Sequence, residues 1–120
     1  MLATPSIRVP ADGTEPETDD GTADIHVSRT WNHQYYGAKV GIETPAPWED
    51  DGKANETMKE LDYDQTHRQW NEQAEEWEAD LENLNCIVQH FNNAGYDVTV
   101  SVKVARKFES DGNTFLPDKR

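Results

Sequence analysis

The segment from Asp64 to Gly95 carries the longest regular hydrophobic pattern in the chain. Its apolar residues recur at alternating steps of four and three: Trp70, Ala74, Trp77, Leu81, Leu84, Val88 and Phe91. An α-helix turns about 100° per residue, so this spacing places them along one stripe. The other faces are mainly acidic, and Gly95 stands where a helix would end. The pattern predicts one long amphipathic helix over residues 64–95.

Shorter segments on either side alternate with a period of two, which is typical of strands. Residues 24–31 and 35–44 alternate in this way across a short polar connection, which predicts a hairpin. In its first strand we expect one face to carry Ile25, Val27, Arg29 and Trp31. Further on, valines alternate with polar residues at Val98, Val100, Val102 and Val104. This run predicts a third strand that continues to Phe108.

The element order is therefore strand, strand, helix, strand. A sheet and a helix that are each apolar on one side bury those sides against each other. We expect an α+β fold with a small three-stranded sheet (order β-β-α-β) covered by one long amphipathic helix. This single domain spans residues 24–109.

The two ends of the chain differ from this domain in composition. Residues 1–23 are rich in proline, glycine and acidic residues, which predicts an extended or disordered acidic arm that becomes ordered only against a partner. Residues 110–120 are predicted to be a C-terminal tail in which Phe115 and Leu116 can dock.

Acidic residues dominate the charge of the chain. The sequence has 24 Asp and Glu against 11 Lys and Arg, a formal net charge of −13. This balance argues against binding to duplex DNA or to anionic membranes. Acids spread along the whole chain are typical of proteins from halophilic archaea and their viruses. An acidic mesophilic protein that imitates nucleic acid is the alternative.

The cellular location can be predicted only from the targeting and membrane segments that the sequence does not contain. No apolar run approaches the roughly 20 residues of a membrane span, and no signal sequence opens the chain. We therefore expect a cytoplasmic or virion protein, not one secreted by a signal peptide. Cys86 is the only cysteine, so an internal disulfide cannot form.

No sequence motif for catalysis or metal binding stands out. Gly-rich phosphate loops, Cys-x-x-Cys, His-Glu-x-x-His and Gly-x-Ser-x-Gly are all missing, and the four histidines are scattered. We expect no enzyme activity, no cofactor and no metal.

We expect this chain to function by binding a protein partner or further copies of itself. Trp48 lies in a loop that the hydrophobic stripe does not need, and exposed tryptophans are frequent anchors of interfaces. Trp48 and Tyr35 are the predicted partner-binding residues. We expect a non-enzymatic, small acidic protein–protein interaction module.

Single-stranded nucleic acid is the alternative ligand. The two strand regions are mildly basic, whereas the predicted helix is strongly acidic. The outer sheet face would stack one base and neutralise phosphates. The residues predicted for this role are Tyr35, Lys39, Lys103, Arg106 and Lys107.

The run Ile25-His26-Val27-Ser28-Arg29-Thr30-Trp31-Asn32, followed by Tyr36 and residues 39–43, resembles the start of small uncharacterised proteins of phages and archaeal viruses. The likeness covers about twenty residues and departs at residues 33–35. It implies a virus-linked, non-catalytic accessory protein and assigns no site residues. For the interaction module as a whole, we expect a structural or inhibitory role.

Overall fold

The computed structural model describes residues 6–9, 17–19, 24–35, 37–61, 66–113 and 115, and these form an α+β fold. The strands are β1 (Ser6–Val9), β2 (Glu17–Asp19), β3 (Ile25–His33), β4 (Gly37–Glu43), β5 (Gln69–Asn71), β6 (Glu76–Asp80) and β7 (Val98–Ser101). The helices are α1 (Pro47–Asp50), α2 (Lys53–Lys59), a 3-10 turn (Leu81–Asn83), α3 (Leu84–Asn93) and α4 (Val102–Ser110). Across these residues seven strands form one sheet in the order β2-β1-β7-β3-β4-β6-β5, so the prediction of a three-stranded sheet is wrong. Only the β3–β7 pair in this sheet is parallel.

The predicted hairpin is confirmed as β3 and β4, but its faces differ from the prediction. The register shifts between Val27 and Arg29, where Ser28 is an extra residue in β3. Such a bulge reverses the alternation beyond it. Arg29 therefore pairs with Gly41 and Trp31 with Lys39, on the polar side of the sheet, whereas Ile25 and Val27 are buried in the core.

The prediction of one long helix is wrong. Residues 64 and 65 lie outside the described residues, and from Gln69 the chain forms the hairpin β5–β6 instead. Trp70 and Trp77 lie directly opposite each other in this hairpin. Only the last part of the apolar stripe is helical, because Leu84, Ile87, Val88 and Phe91 form the buried face of α3.

Residues 76–80 satisfy a period of two as well as the helical spacing. Glu76, Glu78 and Asp80 alternate with Trp77 and Ala79, which are buried. The strand is preferred because its polar side meets partners on adjacent strands. A helix would instead leave these carboxylates in solvent.

The third predicted strand ends early. After Ser101 the chain turns into α4, and the Ser101 side chain caps this helix by accepting a hydrogen bond from the Val104 backbone N–H at 3.2 Å. Val104, Ala105 and Phe108 are buried along one side of α4. In a strand, Ala105 would instead lie on the face opposite Val104 and Phe108.

Parts of the predicted arm belong to the sheet of the same chain. β1 pairs with β7 and β2 pairs with β1, so the domain includes strands before residue 24. Val9 is fully buried, which supplies the apolar contact that the prediction of a separate arm overlooked. At the other end, the predicted tail begins inside α4, and Phe115 packs edge-on against Phe108. Residues 1–5, 10–16, 20–23, 114 and 116–120 lie outside the described residues, and Leu116, which was predicted to dock, is among them.

One hydrophobic core joins the apolar face of the sheet to the helices. Its fully buried members are Val9, Ile25, Val27, Val40, Ile42, Ala54, Met58, Ala79, Leu84, Ile87, Val88, Phe91, Val98, Val100 and Val104. These residues come from β1, β3, β4, β6, β7 and the helices α2, α3 and α4. The core therefore holds together segments that are far apart in sequence.

Charged side chains on the polar face connect β3, β4 and β6. Lys39 is only 6% exposed and donates from Nζ to Asp80 Oδ1 at 2.6 Å. The other oxygen of Asp80 lies 2.7 Å from His67 Nδ1. Arg29 donates from Nε to Glu76 Oε1 at 2.6 Å, and the Glu76 side chain lies over Gly41, which leaves no room for a Cβ there.

We expect Lys39→Met to lower the free energy of unfolding by about 3–5 kcal/mol, because it removes the buried lysine and leaves the Asp80 carboxylate with His67 alone. Urea unfolding followed by fluorescence measures this loss. The matched control is Lys103→Met on the exposed side of α4, with an expected change below about 0.5 kcal/mol. Similar losses in both variants would contradict a special role for the buried pair.

Candidate partner-binding surface

The loop that carries Trp48 is held by short-range hydrogen bonds. Pro47 begins α1, and Glu49 Oε1 accepts a hydrogen bond from the Ala46 backbone N–H at 2.8 Å. The Asp50 carboxylate accepts hydrogen bonds from the backbone N–H groups of Gly52 and Ala54, both at 3.0 Å, and so links α1 to α2. Trp48 is 85% exposed on this ordered support.

Two further tryptophans come from the β5–β6 hairpin. The rings of Trp70 and Trp77 pack edge to face, with centroids 5.5 Å apart. Trp77 is buried and donates from Nε1 to Asn55 Oδ1 at 3.0 Å, which ties the hairpin to α2. Trp70 is 41% exposed. The buried ring therefore positions the exposed one.

These three tryptophans line one groove, which we call the aromatic groove. Its volume is about 660 Å³. The lining residues are Thr44, Pro45, Ala46, Pro47, Trp48, Glu49, Asn55, Lys59, Trp70, Glu75 and Trp77. Two prolines and three tryptophans make the floor and walls largely apolar, while Glu49, Glu75 and Lys59 supply the charges.

A second depression, the acidic cleft, adjoins the aromatic groove. Its volume is about 610 Å³. The lining residues are Asp24, His26, Glu43, Thr44, Pro45, Glu49, Asp50, Ala74, Glu75 and Tyr96. Thr44, Pro45, Glu49 and Glu75 border both depressions, so the two form a continuous surface. Within the described residues five carboxylates line the cleft, and no lysine or arginine does.

Tyr96 lies in the wall of the acidic cleft. Its hydroxyl donates a hydrogen bond to Asp50 Oδ2 at 3.1 Å. Burial of the phenol raises the pKa of Tyr96 to about 12, and the hydrogen bond to Asp50 and the charges of Asp50 and Asp24 act in the same direction. The electrostatics of the cleft therefore disfavour any additional negative charge.

We expect the tyrosinate titration of wild type to contain a component at about pH 12, and we expect this component to be absent in Tyr96→Phe because it belongs to the Tyr96 phenol. The neutral phenol is the form that the fold favours, so its contribution to stability is complete below pH 10 and is lost as the pH rises through 12. Tyrosinate absorbance measures the first effect. Loss of an ordinary component near pH 10 in the variant would contradict the assignment.

The structure places the predicted partner-binding residues on different surfaces. Trp48 lines the aromatic groove, whereas Tyr35, which is 79% exposed, lies in the turn between β3 and β4 and does not line it. Tyr35 donates from its backbone N–H to His33 Nδ1 at 3.0 Å. The structure therefore does not bring the two together in one groove.

The residues predicted to bind nucleic acid do not form a sheet face. Lys39 is buried against Asp80, which corrects its predicted exposure. Lys103, Arg106 and Lys107 belong to α4 rather than to a strand, because that segment buries its apolar residues with helical spacing. Lys107 also pairs with Asp111 at 3.3 Å. The predicted set is thus divided among a turn, a buried pair and a helix.

Trp70, Trp77 and Glu75 were not among the site residues predicted from the sequence. The two tryptophans fit the apolar stripe of the predicted helix, so no site was expected there. A signal for the hairpin was present in the polar stretch Glu72–Glu75, which separates the two tryptophans and is followed by strict alternation over residues 76–80. Glu75 has a positive φ of 54° in this turn, whereas a continuous α-helix would need a negative φ at this residue.

Comparisons with models of protein families, with curated proteins and with solved structures found no match. Over the described residues, no group of three or more His, Cys, Asp or Glu side chains could hold a metal ion. No helix in that part of the chain is long and apolar enough to cross a membrane.

Proposed function

We propose that this chain is a non-enzymatic acidic module for protein–protein interaction, and that a partner protein binds in the aromatic groove. The observation that carries the proposal is the exposure of Trp48, 85%, and Trp70, 41%, at one apolar groove. Covering such surface contributes about 25 cal/mol for each Å² removed from water. Tryptophans in pockets are also frequent hot spots of interfaces.

Packing in the core does not account for a tryptophan at position 48. It is outside the hydrophobic core, and α1 contributes no buried residue. The hydrogen bonds of Glu49 and Asp50 nevertheless hold α1 in place. A preorganised aromatic side chain loses less conformational freedom when a partner binds, which favours affinity.

We further propose that the module works in a halophilic setting as a virus-linked accessory, structural or inhibitory protein. The viral part rests on the resemblance of the β3–β4 hairpin. The halophilic part is supported by exposed acids on turns, helices and strand ends alike, including Glu43, Asp51, Glu56, Glu60, Glu72, Glu82, Glu109 and Asp111. Imitation of nucleic acid receives less support, since Glu76 and Asp80 pair with cations and do not form a row on a helix.

Binding to single-stranded nucleic acid stays a prediction. Its support is the group of exposed cations on α4, Lys103 and Arg106, together with the exposed ring of Tyr35. The burial of Lys39 removes one phosphate contact from the predicted set. The aromatic groove, which requires no rearrangement, is therefore the better-supported site.

We expect Trp48→Ala to weaken capture of a partner from the source organism about tenfold or more, as for a tryptophan hot spot. Its melting temperature should match wild type because the side chain is exposed. Quantitative pull-down with the purified variant measures capture, and Tyr35→Ala is the matched control because its aromatic ring is exposed outside the groove. An unchanged set and amount of captured proteins with Trp48→Ala would contradict the proposal.

We expect the chain to be poorly folded in dilute buffer and to gain structure as chloride is added. In molar salt the Debye length falls to about 3 Å, so repulsion among the acids is screened. Circular dichroism across a salt titration measures the transition. The variant Glu82→Gln/Glu109→Gln, which removes two exposed acids, should fold at lower salt. A cooperative, fully folded wild type at low ionic strength would contradict the halophilic setting.

A further inference from the structure

The charges around the aromatic groove are strongly unbalanced. The groove and the adjoining acidic cleft together contain the carboxylates of Asp24, Glu43, Glu49, Asp50 and Glu75, whereas Lys59 is the only lysine or arginine that lines them within the described residues. Lys59 itself lies 3.7 Å from Glu56 and is directed partly to that carboxylate. A ligand in this surface therefore meets a negative potential.

Three of the five carboxylates have no role in holding together the described part of the fold. No side-chain hydrogen bond or ion pair joins Asp24, Glu43 or Glu75 to another described residue, and all three are exposed. Asp50, in contrast, accepts hydrogen bonds from two backbone N–H groups and from Tyr96. Glu49 accepts one from Ala46 and keeps its second oxygen. Of the five carboxylates, those of Glu49 and Glu75 line both depressions, whereas the others line the acidic cleft.

Tryptophan faces attract cations as well as apolar groups. An arginine or lysine placed over an indole ring gains about 0.5–1 kcal/mol at an exposed site and more when water is excluded. The chain already contains such a contact, because the Arg29 guanidinium lies 4.6 Å from the centroid of the Trp31 ring. Trp48 and Trp70 offer exposed rings beside the carboxylates of Glu49 and Glu75.

We infer that the partner presents a basic segment to this surface. One arginine or lysine side chain enters the aromatic groove against Trp48 and Trp70, and further cations follow the acidic cleft. This inference rests on the proposed docking function and adds the chemistry of the partner. Complementary charge also steers association and makes it sensitive to salt.

The test uses a fluorescein-labelled peptide in which arginine alternates with glycine and serine, and the same peptide with citrulline in place of arginine. Citrulline keeps the shape of arginine and removes its charge. Fluorescence anisotropy is measured with the full chain at the lowest salt at which it is folded. We expect the citrulline peptide to bind about tenfold more weakly than the arginine peptide.

Variants separate the groove from the overall charge. Glu49→Gln/Glu75→Gln should weaken binding of the arginine peptide about tenfold, and glutamine at position 49 can still cap Ala46. Glu82→Gln/Glu109→Gln changes the net charge equally at exposed positions outside both depressions and should have less than about a twofold effect. Trp48→Ala should weaken binding about fivefold, and Tyr35→Ala should not.

Equal losses in the two glutamine double variants would show attraction by net charge alone and would overturn the inference. Equal binding of the citrulline peptide, or of a neutral proline-rich peptide of the same length, would overturn it as well. In either case the proposal that a partner binds in the aromatic groove still holds if Trp48→Ala captures less of the partner than wild type does. If Trp48→Ala retains both the partner and the arginine peptide, the docking function fails together with the inference.

Discussion

The buried ion pair between Lys39 and Asp80 sets the alignment on which the second half of the sheet depends. Lys39 lies opposite Asp80 in the register of β4 and β6, and a shift of one residue would turn Lys39 and its neighbours to the wrong face. Burying two charges is costly unless they meet in good geometry, so misaligned strands are strongly disfavoured. The Arg29–Glu76 pair over Gly41 imposes the same alignment from β3.

This alignment also positions the candidate site, although the ion pairs lie outside it. With Lys39 opposite Asp80, Ile42 lies opposite Trp77, and Trp77 in turn lies opposite Trp70 in β5. The hydrogen bond from Trp77 to Asn55 then holds α2 against the hairpin, close to the loop that carries Trp48. The aromatic groove is therefore assembled from three segments, residues 44–49, 55–59 and 70–77, through a register fixed elsewhere in the sheet.

The sequence was sufficient where one local pattern had a single interpretation. The β3–β4 hairpin follows from its alternation, and the buried face of α3 from the spacing of Leu84, Val88 and Phe91. It was insufficient at residues 70–80, where a helical spacing and a period of two coexist, and the choice depends on cations in β3 and β4. The extra residue Ser28 gives no signal of its own, so the faces of Arg29 and Trp31 were also assigned incorrectly.

The same distinction applies to the site. The exposure of Trp48 follows from its own neighbours, since Pro47 and the acids after it form a short helix without a buried residue. The groove beside Trp48 depends on the β5–β6 hairpin. Because the sequence predicted a helix over these residues, the groove could not be predicted either. The acids illustrate why composition alone cannot locate such a surface: Asp80 neutralises a buried lysine, Asp50 caps backbone N–H groups, and Glu75 has no partner among the described residues. A surface for a partner therefore depends on where carboxylates with an unpaired oxygen lie, and Glu49 and Glu75 line the same groove as the exposed rings of Trp48 and Trp70.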